Sequence, residues 1–181
     1  PQYVFLPHWS YMVPAAVYEA FECVIFHMTD LPFGRGGSPL QNLITRRIYE
    51  TKISALRCEA EVDAGPVYLK YPLSLYGTAE EIYQRAAKTI EDMIVTIVEQ
   101  EPKPIRQQGE VVSFQRRTPQ DGNIAELTEL DQIFDYIRML DADGYPRAFL
   151  ETEHVRLEFQ RPSYRHGKII SDVIITMKEV K

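Results

Sequence analysis

Cysteine is scarce: Cys23 and Cys58 are the only two in 181 residues, and each sits inside an apolar or β-like stretch. Neither a disulfide framework nor a metal site is expected from them, and they read as reduced, structural thiols of a cytoplasmic protein. Positive charge is also in short supply. Twenty Lys and Arg against 26 Asp and Glu leave a net charge of -6 with no dense basic block, so the electrostatic footprint of a nucleic-acid binder is missing. No apolar run approaches the roughly 20 residues needed to cross a bilayer, and Pro1 to Pro7 carry neither a basic leader region nor a cleavage site. Internal repeats and low-complexity segments are absent as well. What is present is the balance of an ordinary globular chain, 45% hydrophobic and 25% charged, which suits a small-molecule partner and no membrane.

Along the chain, the aromatic and β-branched run Gln2 to Leu6 ends at Pro7 and predicts a buried strand. Pro14 opens a helix to about Glu22, with Val17, Tyr18 and Phe21 on its apolar face. Cys23 to Phe26 is a short continuous apolar run, as expected of a central strand covered on both faces. Strand, helix, strand is the repeat of an α/β sheet. The Pro- and Gly-rich stretch from His27 to Ser38 predicts a loop at the end of that strand, where ligands of open α/β sheets lie. Ser38 caps a helix through Arg47 with Pro39 at its first position, and Thr51 to Glu61 and Val67 to Leu75 predict two strands around an Asp63-Ala-Gly-Pro turn.

Thr78 and Glu81 form a capping box, and Ile82, Ala86, Ile90, Met93, Ile94, Ile97 and Val98 recur at helical spacing, predicting a long scaffold helix that Pro102 and Pro104 end. Beyond it come a short strand near Val111 to Phe114, a polar loop, a helix around Leu130 to Leu140, and strands near Val155 to Phe159 and Ile169 to Met177. The division expected is a core over residues 1-104 and a C-terminal appendage over 105-181.

Two residues stand out for chemistry. His27 lies where an apolar strand meets a glycine-rich loop, a position from which a histidine can reach a cleft while its backbone stays anchored. A loop histidine bonded only to backbone is the plainer alternative. Asp63 lies in a tight turn before Gly65, where aspartates usually bond their own backbone. Neither position alone decides between these readings.

Their order and flanks point further. The stretch from His27 through Leu31-Pro-Phe-Gly-Arg35-Gly-Gly-Ser-Pro to Gln41 resembles the segment of methionyl-tRNA, glycinamide ribonucleotide and sugar formyltransferases in which an Asn-x-His pair precedes a Leu-Pro and an Arg-Gly-x-x-Pro helix start. Val62-Asp-Ala-Gly65 is similar to that family's Leu-Asp-Thr-Gly turn, and Ser10-Tyr-Met-Val-Pro14 to its Gly-Leu-Ile-Leu-Pro element. Arg116-Arg-Thr-Pro-Gln-Asp121 resembles an Arg-Arg-Thr-Pro-x-Asp motif of amino-sugar nucleotide formyltransferases.

The resemblance implies a Rossmann-like α/β formyltransferase fold with a small C-terminal β-containing appendage. The implied reaction moves a formyl group from 10-formyltetrahydrofolate, a co-substrate, to the amine of a nucleotide-linked amino sugar, without a metal. The alternatives are methionyl-tRNA or another amine as acceptor, or a non-catalytic folate-binding remnant. His27 and Asp63 become the catalytic pair, since a histidine exchanges protons at neutral pH and a neighbouring carboxylate orients its ring. Trp9, Ser10, Tyr11, Met12, Glu59, Glu61 and Val62 are assigned to the folate, held largely through backbone groups. Arg35, Arg116, Arg117, Tyr145 and Phe149 are assigned to the acceptor.

Two departures accompany the match. The family asparagine falls on Ile25, which cannot donate to an oxyanion; loss of one such donor typically costs about 10²- to 10³-fold in rate. Thr29, Asn42, a backbone N–H or the cationic His27 are the candidate substitutes. The opening strand-helix units of the family are missing from the front, as in a fragment or a shortened protein, and the open sheet edge this leaves predicts a homo-oligomer.

Overall fold

A computed structural model describes residues 2-178. Strands β1 (Tyr3–Leu6) and β2 (Glu22–His27) run parallel, joined through α1 (Ala15–Tyr18). After β2 come β3 (Phe33–Gly36), α2 (Pro39–Ile44), β4 (Glu50–Arg57) and β5 (Val67–Ser74). The first sheet has the order β1-β2-β4-β5, with β2, β4 and β5 successively antiparallel. The 22-residue helix α3 (Ala79–Gln100) crosses this sheet, and β6 (Val112–Phe114) then returns to pair in parallel with β3. A single 3-10 turn (Pro119–Gly122) and α4 (Leu130–Met139) lead into an antiparallel sheet of β7 (Ala148–Glu151), β8 (Val155–Arg165) and β9 (Lys168–Met177).

The strongest local signals form as expected. Thr78 Oγ1 accepts from the Glu81 N–H at 3.3 Å while the Glu81 carboxylate accepts from the Thr78 N–H at 2.8 Å. Two of the otherwise orphaned first-turn donors are thereby satisfied. Ile82, Ala86, Ile90, Met93 and Ile97 share one face of α3 and are fully buried against the sheet. Glu101, in left-handed conformation, ends the helix before Pro102.

Other elements are shorter or different from their sequence reading. The helix expected to reach Glu22 is four residues long, because β2 already begins at Glu22, in register with β1, and residues 19–21 carry the chain across to it. β1 itself is only half-buried, standing at the sheet edge. The loop from His27 to Ser38 contains β3, whose pairing with β6 lies far away in sequence. Ser38 is left-handed and does not cap α2; its hydroxyl accepts instead from the Arg117 N–H at 3.0 Å, and α2 stops at Ile44. The strand β7 has no counterpart in the sequence reading.

The end of β2 is held firmly. Ser54, paired with His27 across the β2–β4 ladder, is fully buried; its hydroxyl donates to Thr29 O at 2.7 Å and accepts from the Leu31 N–H at 3.3 Å. This fixes the chain just after the histidine. The C-terminal part is tied back through α4, where Arg138 donates to Asp135 at 2.7 Å and to the carbonyls of Leu75 and Gly77 at 2.7 and 2.8 Å. Tyr49 donates to the same Asp135, and burial together with that carboxylate pushes its hydroxyl up to about 12. Among the described residues, no helix is long and apolar enough to cross a membrane.

Candidate active site

His27 is the last residue of β2, and the parallel β1–β2 pair presents that strand end to an open cavity of about 780 Å³. The volume falls within the range of small-molecule sites. The histidine is 8% exposed. Its Nε2 is 2.7 Å from Gly34 O; a carbonyl can only accept, so this nitrogen carries a hydrogen and donates it. The other ring nitrogen, Nδ1, faces Asp63 Oδ2 at 3.5 Å. Both plain alternatives left open by the sequence are thus partly met: His27 does bond to backbone, and it also meets the carboxylate.

Asp63 reaches this place from the loop between β4 and β5. It has a left-handed backbone, and its Oδ2 accepts from the Gly36 N–H at 2.9 Å. The turn folds back tightly: a Cβ at Gly65 would fall 1.9 Å from Arg57 O, so only glycine admits this approach. Gly36, at φ +103°, likewise lies against Phe114 O, where a Cβ would be at 2.5 Å.

The assigned folate residues Trp9, Ser10, Tyr11, Met12, Glu59, Glu61 and Val62 all line the cavity, as do Arg116 and Tyr145. Trp9, Tyr11 and Met12 are 50%, 78% and 65% exposed and form an apolar rim. Arg116 reaches across to this rim, its Nη2 donating to Ser10 O at 3.2 Å. Among the described residues, no hydrogen bond occupies the backbone N–H groups of Glu59, Glu61 and Val62. These N–H groups therefore have no protein partner, in residues that line the cavity.

Three assigned acceptor residues lie elsewhere. Arg35 does not line the cavity; it pairs with Glu61 at 3.0 Å and donates to Gln107 at 2.9 and 3.2 Å. Arg117 covers the Tyr136 ring and donates to Asp121 O. Phe149 is buried in β7 under the Arg156 guanidinium, 3.5 Å from its ring centre. Ile25 occupies the cavity wall and packs on Leu31, Leu56 and Val67. Thr29 is fully buried and directed at Gly34 O, while the Asn42 amide is spent on the carbonyls of Gly37, Ser38 and Gln115. Neither lines the cavity.

Sequence reasoning missed Gln107, whose amide bridges Arg35 to the Asp63 turn, and Gln41, a buried cavity-lining residue whose amide donates to Met139 O at 3.1 Å. Nothing local in the sequence distinguishes either glutamine. Cys58 also lines the cavity; burial raises its thiol above the ordinary value, which disfavours a reactive thiolate. Among the described residues, no group of three or more His, Cys, Asp or Glu side chains could hold a metal.

Comparison with known proteins places this geometry. A family model described as the methionyl-tRNA formyltransferase C-terminal domain matches residues 119-176. The methionyl-tRNA formyltransferase of Rickettsia felis is 25% identical over 181 residues, covering 91% of this chain and 58% of that protein. The chain spans about half the length of the curated relatives it matches. A solved structure of a 4-N formyltransferase from Francisella tularensis superposes with a TM-score of 0.67 at 14% identity, over 99% of this chain and 72% of that one, and so shares the fold. The solved structure of a methionyl-tRNA formyltransferase from Clostridium thermocellum superposes with a TM-score of 0.96 at 53% identity, over 98% of this chain and 79% of that one. An identity of that size across most of both chains, together with the α/β core and the C-terminal strands it superposes, shows that this chain belongs to the methionyl-tRNA formyltransferase-like family of formyltransferases.

Proposed function

We propose that this chain carries the site of an enzyme that transfers a formyl group from 10-formyltetrahydrofolate to the amine of an acceptor. The observation that carries the reading is the His27–Asp63 pair at the cavity wall, beside backbone donors left unbonded, in a chain of this family. The folate supplies an activated formyl carbon. The free amides of Glu59, Glu61 and Val62 suit the polar edge of its flat ring, and the rim of Trp9, Tyr11 and Met12 suits its apolar faces.

Formation of the new C–N bond requires loss of a proton from the attacking amine, and cleavage of the formyl carbon's bond to the folate nitrogen requires delivery of one to that nitrogen. His27 and Asp63 act as one proton-transferring unit for both, with the Gly34 carbonyl holding the ring and the Gly36 N–H holding the carboxylate. Ile25, Leu56 and Val62 keep this end of the cavity apolar, which strengthens the electrostatic contacts made there.

Methionyl-tRNA is the acceptor that the names of the curated relatives and of the 53% identical structure favour. A nucleotide-linked amino sugar is the second reading, favoured by Arg116 and Tyr145 inside the cavity and by the net charge of -6. Arginine's forked donors suit a diphosphate. The test is tetrahydrofolate release with methionyl-tRNA and with a panel of UDP- and dTDP-amino sugars, for the parent, His27→Ala and Asp63→Asn. Release with one acceptor class, reduced at least about 100-fold in both variants, is the expected result. Equal release by the parent and both variants would end the catalytic assignment.

A further inference from the structure

We infer that Gln107 is a positioning residue that sets the Asp63 carboxylate against His27; the inference rests on the formyl-transfer reading for its catalytic meaning. Gln107 lies beyond α3, 44 positions from Asp63 in the chain, yet its side chain is inserted beneath the catalytic turn. Nε2 donates to Asp63 O at 2.7 Å and to Gly65 O at 2.9 Å. Oε1 accepts from Arg35 Nη2 at 2.9 Å and Nε at 3.2 Å. Arg35 in turn is pinned by Glu61, which belongs to the same turn.

Every connection in this bracket ends on the segment from Glu61 to Gly65 or on β3. Asp63 has φ +52°, an uncommon backbone for a residue other than glycine, though one that aspartate adopts more readily than most, and the bracket adds to its support. The carboxylate itself has one backbone donor, the Gly36 N–H, while Gln107 holds the two carbonyls that follow the left-handed Cα, those of Asp63 and Gly65. Both ends of the amide are committed with fixed polarity: a guanidinium can only donate and carbonyls can only accept. A carboxylate at position 107 would satisfy Arg35 and oppose the two turn carbonyls.

The Gly36 amide gives a readout of carboxylate placement that needs no turnover. Residue-resolved hydrogen exchange is measured in the parent, Gln107→Leu, Gln107→Glu and Asp63→Asn, with the buried face of α3 at Ile90 as the reference for global folding. The expected result is that Gly36 exchanges about tenfold faster in Gln107→Leu and Gln107→Glu, with Ile90 unchanged in at least the Gln107→Glu protein. Unchanged Gly36 protection in either folded variant overturns the inference, whatever the activity of the parent. Where the parent turns over, the kcat of Gln107→Glu relative to the parent should rise as pH falls, because protonation restores a donor toward the turn. A ratio flat in pH, with kcat equal to the parent's, also overturns it. An inactive parent with Gly36 released in the variants would keep the positioning role and remove the formyl-transfer reading alone.

Discussion

Glu22 opens β2, and both the Tyr68 hydroxyl and the Arg57 guanidinium donate to its Oε1, joining three strands at the end of the sheet opposite His27. The Tyr68 bond, with Arg57 beside it, holds the Glu22 carboxyl below its ordinary value of 4.5. A depressed folded value means stability that is complete above the unfolded value and is lost as pH falls through the folded one. Glu22→Gln should therefore lower the melting temperature at neutral pH, with the gap to the parent closing as pH drops below about 4.5. Thermal unfolding followed between about pH 3 and 7 checks this; a gap that stays constant would show that the carboxylate charge is not what is lost. At this same scale the sequence left His27 and Asp63 each undecided. Their roles could be assigned only through motif order, because the contact between them spans 36 positions and no local pattern encodes it. Ile25 could be read as a missing donor from the sequence. That the Asn42 and Thr29 side chains bond to the Gln115 and Gly34 carbonyls is something only the folded chain reveals.

Helix α3 owes its start to Thr78 and Glu81 and its seat to one apolar face. Thr78→Ala removes the hydroxyl that accepts from the Glu81 N–H. The loss should cost about 1 kcal/mol, lowering the melting temperature by roughly 2–4 °C in a chain of this size. Calorimetry of the parent and variant checks the value, and a drop several times larger would mean that the cap also orders the loop from Tyr76 to Thr78. This element was fully legible because its signals lie within four residues of each other. Helices α1 and α2 were overestimated for the opposite reason. α1 is cut short by where β2 must begin, and α2 stops at Ile44, ahead of the left-handed Arg47, while the Ser38 hydroxyl expected to cap it is taken up by the Arg117 backbone, 79 positions away. Propensity and capping patterns carry no information about such distant claims.

Across the whole molecule, an excess of acidic residues coexists with two arginines, Arg57 and Arg116, lining the cavity. The two candidate acceptors respond differently to that field. A tRNA acceptor displaces many counterions, so its KM should rise steeply with salt, whereas a nucleotide sugar makes few phosphate contacts and should respond weakly. Turnover measured from about 50 to 200 mM salt separates them. A steep dependence favours methionyl-tRNA, and a shallow one with sugar-dependent release favours the amino sugar. The sequence by itself determined the α/β class, the long helix with its cap, the apolar strands and the ordered motifs that single out His27 and Asp63, because these rest on spacings of two to four residues or on contiguous runs. Tertiary structure alone decided that β6 returns to β3, that Arg35 bonds to Gln107, and that Gln107 bonds to the Asp63 turn. Those are matters of which buried polar groups satisfy one another once distant segments pack together, and a hydrogen bond across 44 or 72 positions leaves no periodicity for a sequence to display.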